Sequence, residues 1–184
     1  MIEKFDNFIE EHIAQLIDMQ IREVSWKFDY DSVKNGVNKH WHVFCGHTEE
    51  ELKDVLPIWQ AISSRFPEYE LERAYLNAHT HGIEPHIHRD DGDVTFIYYP
   101  RMDWKNEWGG GTAIFDDNVK DITNLFGYKG NRLIMFPAHL PHQAQPVSRE
   151  CYQLRSCVVF KLKTKQQAQA NTRKTNKCDN GSSR

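Results

Sequence analysis

The sequence predicts a mainly β domain with N-terminal helices: an antiparallel sandwich or barrel carrying the helices on one outer face. Helical periodicity is confined to the residues before 69. From there on, short β-rich runs follow one another, and the gaps between them hold turn formers such as HGIE, RDDGD and PRMDWKNEWGG. With 184 residues, 39% of them hydrophobic, the chain has room for one core and no second independent domain.

Taken in order, Phe5, Phe8, Ile9, Ile13, Leu16 and Ile17 recur at helical spacing over 5–20, with Asp6 in position to cap that helix. Strand-like pieces follow at 24–30 (VSWKFDY) and 40–45 (HWHVFC), separated by the turn-forming DSVKNGVN. Thr48 and Glu51 have capping-box spacing ahead of Leu52, Val55, Leu56, Trp59 and Ile62, a second helix that Pro57 should kink or divide. The β-runs are then ELERAYLNA, EPHIHR, DVTFIYY, GGTAIF, RLIMFP and YQLRSCVVFKL, with HLPHQAQPVS read as a turn. Residues 1–68 thus support a core spanning 69–164, together one domain over 1–164. The remainder, 165–184, lacks large apolar residues and is expected to be a solvated, disordered tail.

Composition narrows the function. Charge is nearly balanced, 23 basic against 26 acidic residues, which argues against a nucleic-acid backbone or an anionic membrane as partner. No run approaches the roughly 20 apolar residues of a membrane helix. The start, MIEKFDNFIEEHIAQ, lacks the features of a signal peptide, so the expected location is the cytoplasm. Cys45, Cys151, Cys157 and Cys178 form no CxxC pair and read as small packing residues, with Cys151 and Cys157 sharing a strand. Histidine is the unusual count: of ten, six fall in two clusters, His79/His81/His86/His88 and His139/His142. Imidazole is the commonest metal ligand, so the clustering points to metal or acid–base chemistry.

The densest segment is PHIHRDDGD at 85–93. If 85–90 is extended, alternation puts His86, His88 and Asp90 on one face and Ile87 and Arg89 on the other. Imidazole plus carboxylate suits iron(II), manganese or zinc. A third ligand must come from elsewhere, and His139 and His142 are the other clustered histidines. Surface histidines beside turns are the plain alternative for either cluster. Around them stand a Thr-x-x-x-Tyr strand ending at Tyr99, the Trp108-Gly-Gly-Gly-Thr112 turn and Arg155 on the last β-run. Those glycines are read first as structural, permitting positive φ. Trp104 and Trp108 flank the turn, either to grip substrate or to pack on the rim.

In these segments, YLNAHTHGIEPHIHRDDGDVTFIYY, WGGGTAIF, NRLIMFPAHLPHQAQPV and LRSCVVFK, residues 75–162 resemble the catalytic core of the iron(II)/2-oxoglutarate-dependent dioxygenases, in the prolyl 4-hydroxylase-like branch with its microbial and phage members. The resemblance implies a double-stranded β-helix, or jelly-roll barrel. It also implies His88, Asp90 and His142 as the metal and catalytic triad, with Arg155 and Tyr99 binding the far carboxylate of 2-oxoglutarate and Tyr98 facing away. Fe(II), 2-oxoglutarate and O2 would be required, with ascorbate as a reductant. The reaction would hydroxylate an unactivated C–H bond and release succinate and CO2. An acid at position 90, where related halogenases carry a small residue, favours hydroxylation.

Rivals remain within the site. His86 competes for the ligand pairing with His88, or supports it from outside the coordination sphere. His139 competes with His142; paired with it would be Arg149, which lies in a polar loop, so His142 with Arg155 is preferred. The other histidines, His12, His40, His42, His47, His79 and His81, are expected to be surface or loop residues. Two further readings compete with the whole: a binuclear zinc hydrolase using His86, His88 and Asp90, against which Asp91 stands where a histidine is expected, and a non-catalytic barrel that only binds. The substrate implied is a prolyl residue in a peptide or protein, or a small amino-acid-like molecule, with 24–47 and 100–109 shaping the entrance.

Overall fold

The computed structural model describes residues 1–33 and 36–165; all but the first residue of the expected tail, and Cys178 with it, lie outside them. Among the described residues ten strands and two α-helices run in the order β1 (Glu3–Asp6), α1 (Glu11–Arg22), β2 (Lys27–Tyr30), β3 (His40–Gly46), α2 (Leu56–Arg65), β4 (Tyr69–His79), β5 (Val94–Tyr99), β6 (Thr112–Phe115), β7 (Ile122–Phe126), β8 (Arg132–Pro137), β9 (His142–Ala144) and β10 (Arg155–Thr164). Antiparallel ladders join them into a seven-stranded sheet ordered β1-β8-β5-β10-β4-β3-β2 and a three-stranded sheet ordered β7-β6-β9. Among the described residues the ladders form two separate sheets and show no closed barrel.

Side-chain alternation explains why the central strands read as largely apolar runs. Phe96 and Tyr98 of β5, Val158, Phe160 and Leu162 of β10, and Leu133 and Met135 of β8 share one core with Ile17 and Ile21 of α1 and Ile58 and Ile62 of α2. Ile97 and Tyr99, Cys157 and Val159, and Ile134 and Phe136 point the other way and pack with Ile114 of β6 and Tyr128. The central strands of the large sheet are therefore buried on both faces, by helices on one side and by the small sheet on the other. Phe96 and Phe160 are fully buried, and truncating either to alanine removes roughly 3–5 kcal/mol.

The N-terminal helix is shorter than its periodicity suggests. Residues 3–6 instead pair with β8, Phe5 opposite Leu133, and Asn7 turns the chain at φ 52°. Phe5 packs on Phe66, 5.6 Å between ring centroids, so its spacing relative to Phe8 and Ile9 reflects a shared core and no common helix. Asp6 caps nothing: it accepts from Arg132 Nε at 2.6 Å, a bond that pulls its carboxyl down to about 2. The Thr48/Glu51 box forms, but it opens a single 3-10 turn, Glu49–Glu51, and α2 starts only at Leu56 with Pro57 in its first turn. Strands β1, β7 and β9 escaped the sequence reading: β7 is an edge with Ile122 and Leu125 exposed, and β9 lies in a segment read as a turn. EPHIHR, read as a strand, makes only one isolated bridge, His88 to His142. Cys151 lies before β10, away from the strand that buries Cys157, and burial pushes the Cys45 thiol up to about 12.

Candidate active site

Between the two sheets a narrow pocket is lined by residues of β4, β5 and β10 on one side and by His88, Asp90, Thr112 and His142 on the other. His88 is brought to His142 by mutual backbone hydrogen bonds of 3.0 and 2.9 Å, although the 85–90 segment joins no regular ladder. The alternation expected there holds: Ile87 and Arg89 are exposed while His86, His88 and Asp90 are partly buried. Ligand atoms of His88, Asp90 and His142 all lie within 4.8 Å of one another.

The donor set fits a metal ion. His88 Nδ1 lies 3.0 Å from the His86 carbonyl and His142 Nδ1 lies 2.9 Å from the Leu140 carbonyl. A carbonyl can only accept, so both protons sit on Nδ1 and both Nε2 lone pairs are free. Those lone pairs face the Asp90 carboxylate, His88 Nε2 at 3.6 Å from Oδ1 and His142 Nε2 at 3.2 Å from Oδ2. Three lone-pair donors converging in a buried space could hold a cation between them. Burial pushes His88 down to about 3 and His142 down to about 4, which keeps both imidazoles neutral and able to ligate. Asp90 is itself held: Thr95 Oγ1 donates to Oδ2 at 2.7 Å, and Lys161 Nζ contacts the same oxygen.

At the pocket's other end Arg155 is 1% exposed. Its Nε donates to the Gly110 carbonyl at 2.7 Å and its Nη2 to the Gly111 carbonyl at 3.3 Å, so the glycine turn fixes the guanidinium. Gly109 and Gly110 adopt φ of 66° and 74°, and a Cβ on Gly110 would lie 3.0 Å from Arg155 Cγ. Among the described residues no carboxylate pairs with Arg155. A buried guanidinium in that state is a ready receptor for an anion. Tyr99 lies with its ring centroid 5.8 Å from the guanidinium, and its hydroxyl donates to Thr112 Oγ1 at 2.7 Å. Burial pushes Tyr99 up to about 12, so it stays a donor. Tyr98 faces the helices, its hydroxyl on Asn131 Oδ1 at 3.2 Å.

Other residues singled out in the sequence stand apart. His86 is outside the three-residue cluster, with its Nε2 buried and unpartnered among the described residues. His139 and Arg149 are exposed. Trp108 is buried and Trp104 packs against Tyr128, ring centroids 4.5 Å apart, donating Nε1–H to the Gly109 carbonyl, so both pack on the rim. His40 and His79 correct the surface reading: they are 2% and 5% exposed, and His79 lines the pocket. His42, also expected at the surface, stacks on Tyr30 at 4.1 Å and bonds Asn77. Thr95, Lys161 and His79 are the site residues that sequence reasoning missed; their even spacing of four, six and two residues from Tyr99, Arg155 and Asn77 along the strands was the available signal.

A two-sheet antiparallel fold with two imidazoles and one carboxylate gathered between its sheets is the arrangement of a non-haem metal oxygenase. The sequence profile of the 2OG-Fe(II) oxygenase superfamily matches residues 65–160, and the chain belongs to that family of oxidoreductases. Its fold is similar to that of a Trichoplax adhaerens prolyl hydroxylase in complex with a hypoxia inducible factor oxygen degradation domain peptide fragment, at TM-score 0.67 and 15% identity over 90% of this chain and 84% of that one. It is also similar to a Pseudomonas putida prolyl-4-hydroxylase, at TM-score 0.63 and 14% identity over 89% and 92%, and to a viral collagen prolyl hydroxylase from Paramecium Bursaria Chlorella virus-1, at 0.59 and 14% over 88% and 94%. At these identities the likeness is one of fold, the jelly-roll type of these oxygenases. No curated protein matches the chain. The family implies Fe(II), 2-oxoglutarate and O2. No helix among the described residues is long and apolar enough to cross a membrane.

Proposed function

We propose that residues 1–164 form one catalytic unit that hydroxylates an unactivated C–H bond, with His88, Asp90 and His142 holding Fe(II) and Arg155 binding the far carboxylate of 2-oxoglutarate. One observation carries the reading: the buried Arg155, without a carboxylate partner among the described residues, lines the same pocket as the His-Asp-His cluster. A dianionic cosubstrate satisfies the cation at one end and the metal at the other. Tyr99 and Thr112, bonded to each other at 2.7 Å, supply the hydroxyl donor beside the carboxylate. When bound, the metal and cosubstrate supply the oxidising chemistry, releasing succinate and CO2, with ascorbate as supporting reductant. The chain's part is to orient them and to keep water out: the pocket walls are Ile97, Val159 and Cys157, and the imidazoles are fixed through Nδ1.

The substrate proposed is a prolyl residue in a peptide or protein, or a small amino-acid-like molecule. Support comes from the prolyl hydroxylase neighbours and from a polar cleft beside His88 and Asp90, walled by Tyr30, Ser32 and Arg73. Purified protein with Fe(II), 2-oxoglutarate and O2 should release succinate slowly without substrate. Proline-containing peptides and free amino acids, screened for faster succinate release and a gain of one oxygen by mass spectrometry, identify the substrate. Succinate release that survives both Asp90→Ala and His142→Ala would sink the assignment.

A further inference from the structure

The fold buries a lysine against the proposed iron ligand. Lys161 is 1% exposed and shares a face of β10 with Arg155, Cys157 and Val159. Its cross-strand partners are Thr95 on β5 and Arg73 on β4, so one row across three strands reads Arg73, Lys161, Thr95. Two successive aspartates sit on this row. Arg73 Nη2 donates to Asp91 Oδ1 at 2.5 Å, and Lys161 Nζ contacts Asp90 Oδ2. Lys161 also donates to Thr95 Oγ1 at 3.2 Å, and the Thr95 hydroxyl in turn donates to the same Asp90 oxygen at 2.7 Å.

The two oxygens of Asp90 are therefore unlike. Oδ2 takes two donors from the sheet, whereas no donor among the described residues reaches Oδ1 within hydrogen-bonding distance, its neighbour in the cluster being His88 Nε2 at 3.6 Å. Burying an amine in this position carries a desolvation penalty that a methionine of similar length would avoid. We propose that Lys161 is a positioning residue for the metal centre: with Thr95 it pins Asp90 Oδ2, so that the carboxylate offers only Oδ1 to the metal. The proposal rests on Asp90 being a ligand. Its consequence is for the open coordination positions. A carboxylate free to grasp the metal with both oxygens would occupy one of the places that 2-oxoglutarate and O2 need. An amine donates N–H whether or not it carries the extra proton, so the clamp does not depend on its charge.

Cobalt(II) tests this without turnover, because its visible absorption reports coordination number. Lys161→Met should still take up about one Co(II) per chain, yet show an altered Co(II) spectrum and bind 2-oxoglutarate about tenfold or more weakly than the unmodified protein. Thr95→Val, which keeps the lysine, should move both readouts the same way, and Lys161→Arg should recover part of the loss. A lysine that merely fills space would leave the spectrum unchanged. The proposal is overturned if Lys161→Met keeps the original spectrum and 2-oxoglutarate affinity. Should Lys161→Met not fold, Thr95→Val decides alone by the same criterion. An unmodified protein that binds no Co(II) would instead overturn the metal-site reading on which this one stands.

Discussion

Arg155 and His79 face each other across the β10–β4 ladder, with Nη1 of the guanidinium 3.4 Å from Nδ1 of the imidazole. A guanidinium only donates, so Nδ1 accepts and His79 carries its proton on Nε2. Burial, and then the neighbouring Arg155, push this imidazole well below its ordinary range, in the direction that keeps it neutral. The pair thus leaves the positive charge at this end of the pocket on Arg155. Arg155→Ala should weaken 2-oxoglutarate binding by about 10–100-fold, the worth of charge-assisted hydrogen bonds, while leaving metal uptake nearly intact. Titration of Mn(II)-loaded protein with 2-oxoglutarate measures it. Loss of metal as complete as in His88→Ala would show that the residue does something else.

The metal set makes a second prediction by contrast. His142→Ala and Asp90→Ala should each abolish stable iron uptake, because two remaining ligands make a poor site. His86→Ala and His139→Ala should retain it, since His86 is outside the cluster and His139 is exposed. Iron content after gel filtration distinguishes the four variants. About two zinc ions per chain, lost on His86→Ala, would favour the hydrolase reading.

Buried neutral imidazoles also set the acid response. Burial pushes His40 down to about 4 and His79 lower than its ordinary value, whereas both titrate near 6.5 once unfolded. Below about pH 6.5 the unfolded chain takes up protons that the folded one refuses, so this stability is full above that pH and is lost as pH falls toward 4. His40 changes stability by about 1.4 kcal/mol per pH unit in that window, roughly 2 kcal/mol by about pH 5, and His79 acts in the same direction. Urea midpoints of metal-free protein should drop accordingly between pH 7 and pH 5, and His40→Phe should flatten the slope. A curve that stays level would show that these rings are not buried and neutral.

These residues mark where sequence was informative. VTFIYY, RLIMFP and SCVVFKL announced themselves because strands covered on both faces are apolar at most positions, and β5, β8 and β10 form where they were read. His88 and Asp90 could be paired from spacing, since alternation is local. His40, His79 and Lys161 could not: polar side chains read as exposed until the cross-strand partner is known, and their partners lie 39, 76 and 66 residues away in His79, Arg155 and Thr95. The same limit hid β1 and β7. Phe5 is partly covered beside a strand more than 120 residues later, and Ile122 and Leu125 face outward on an edge, so neither segment shows a strand's alternation in its own residues.

Gly110 gives the last test, one that joins backbone geometry to the site. Its φ of 74° lies in the left-handed region, and its absent Cβ would stand 3.0 Å from Arg155 Cγ and 3.2 Å from Trp104 Cζ2. Gly110→Ala therefore combines backbone strain of about 1–3 kcal/mol with pressure on the guanidinium it normally anchors through its carbonyl. The expected result is a lower melting temperature together with weaker 2-oxoglutarate binding at unchanged metal content. Gly82 has φ of 87° with nothing within 4 Å of an added Cβ, so Gly82→Ala should share the backbone strain and spare the cosubstrate. Comparing the two separates strain from contact: equal 2-oxoglutarate affinities in both variants would mean that the turn does not position Arg155.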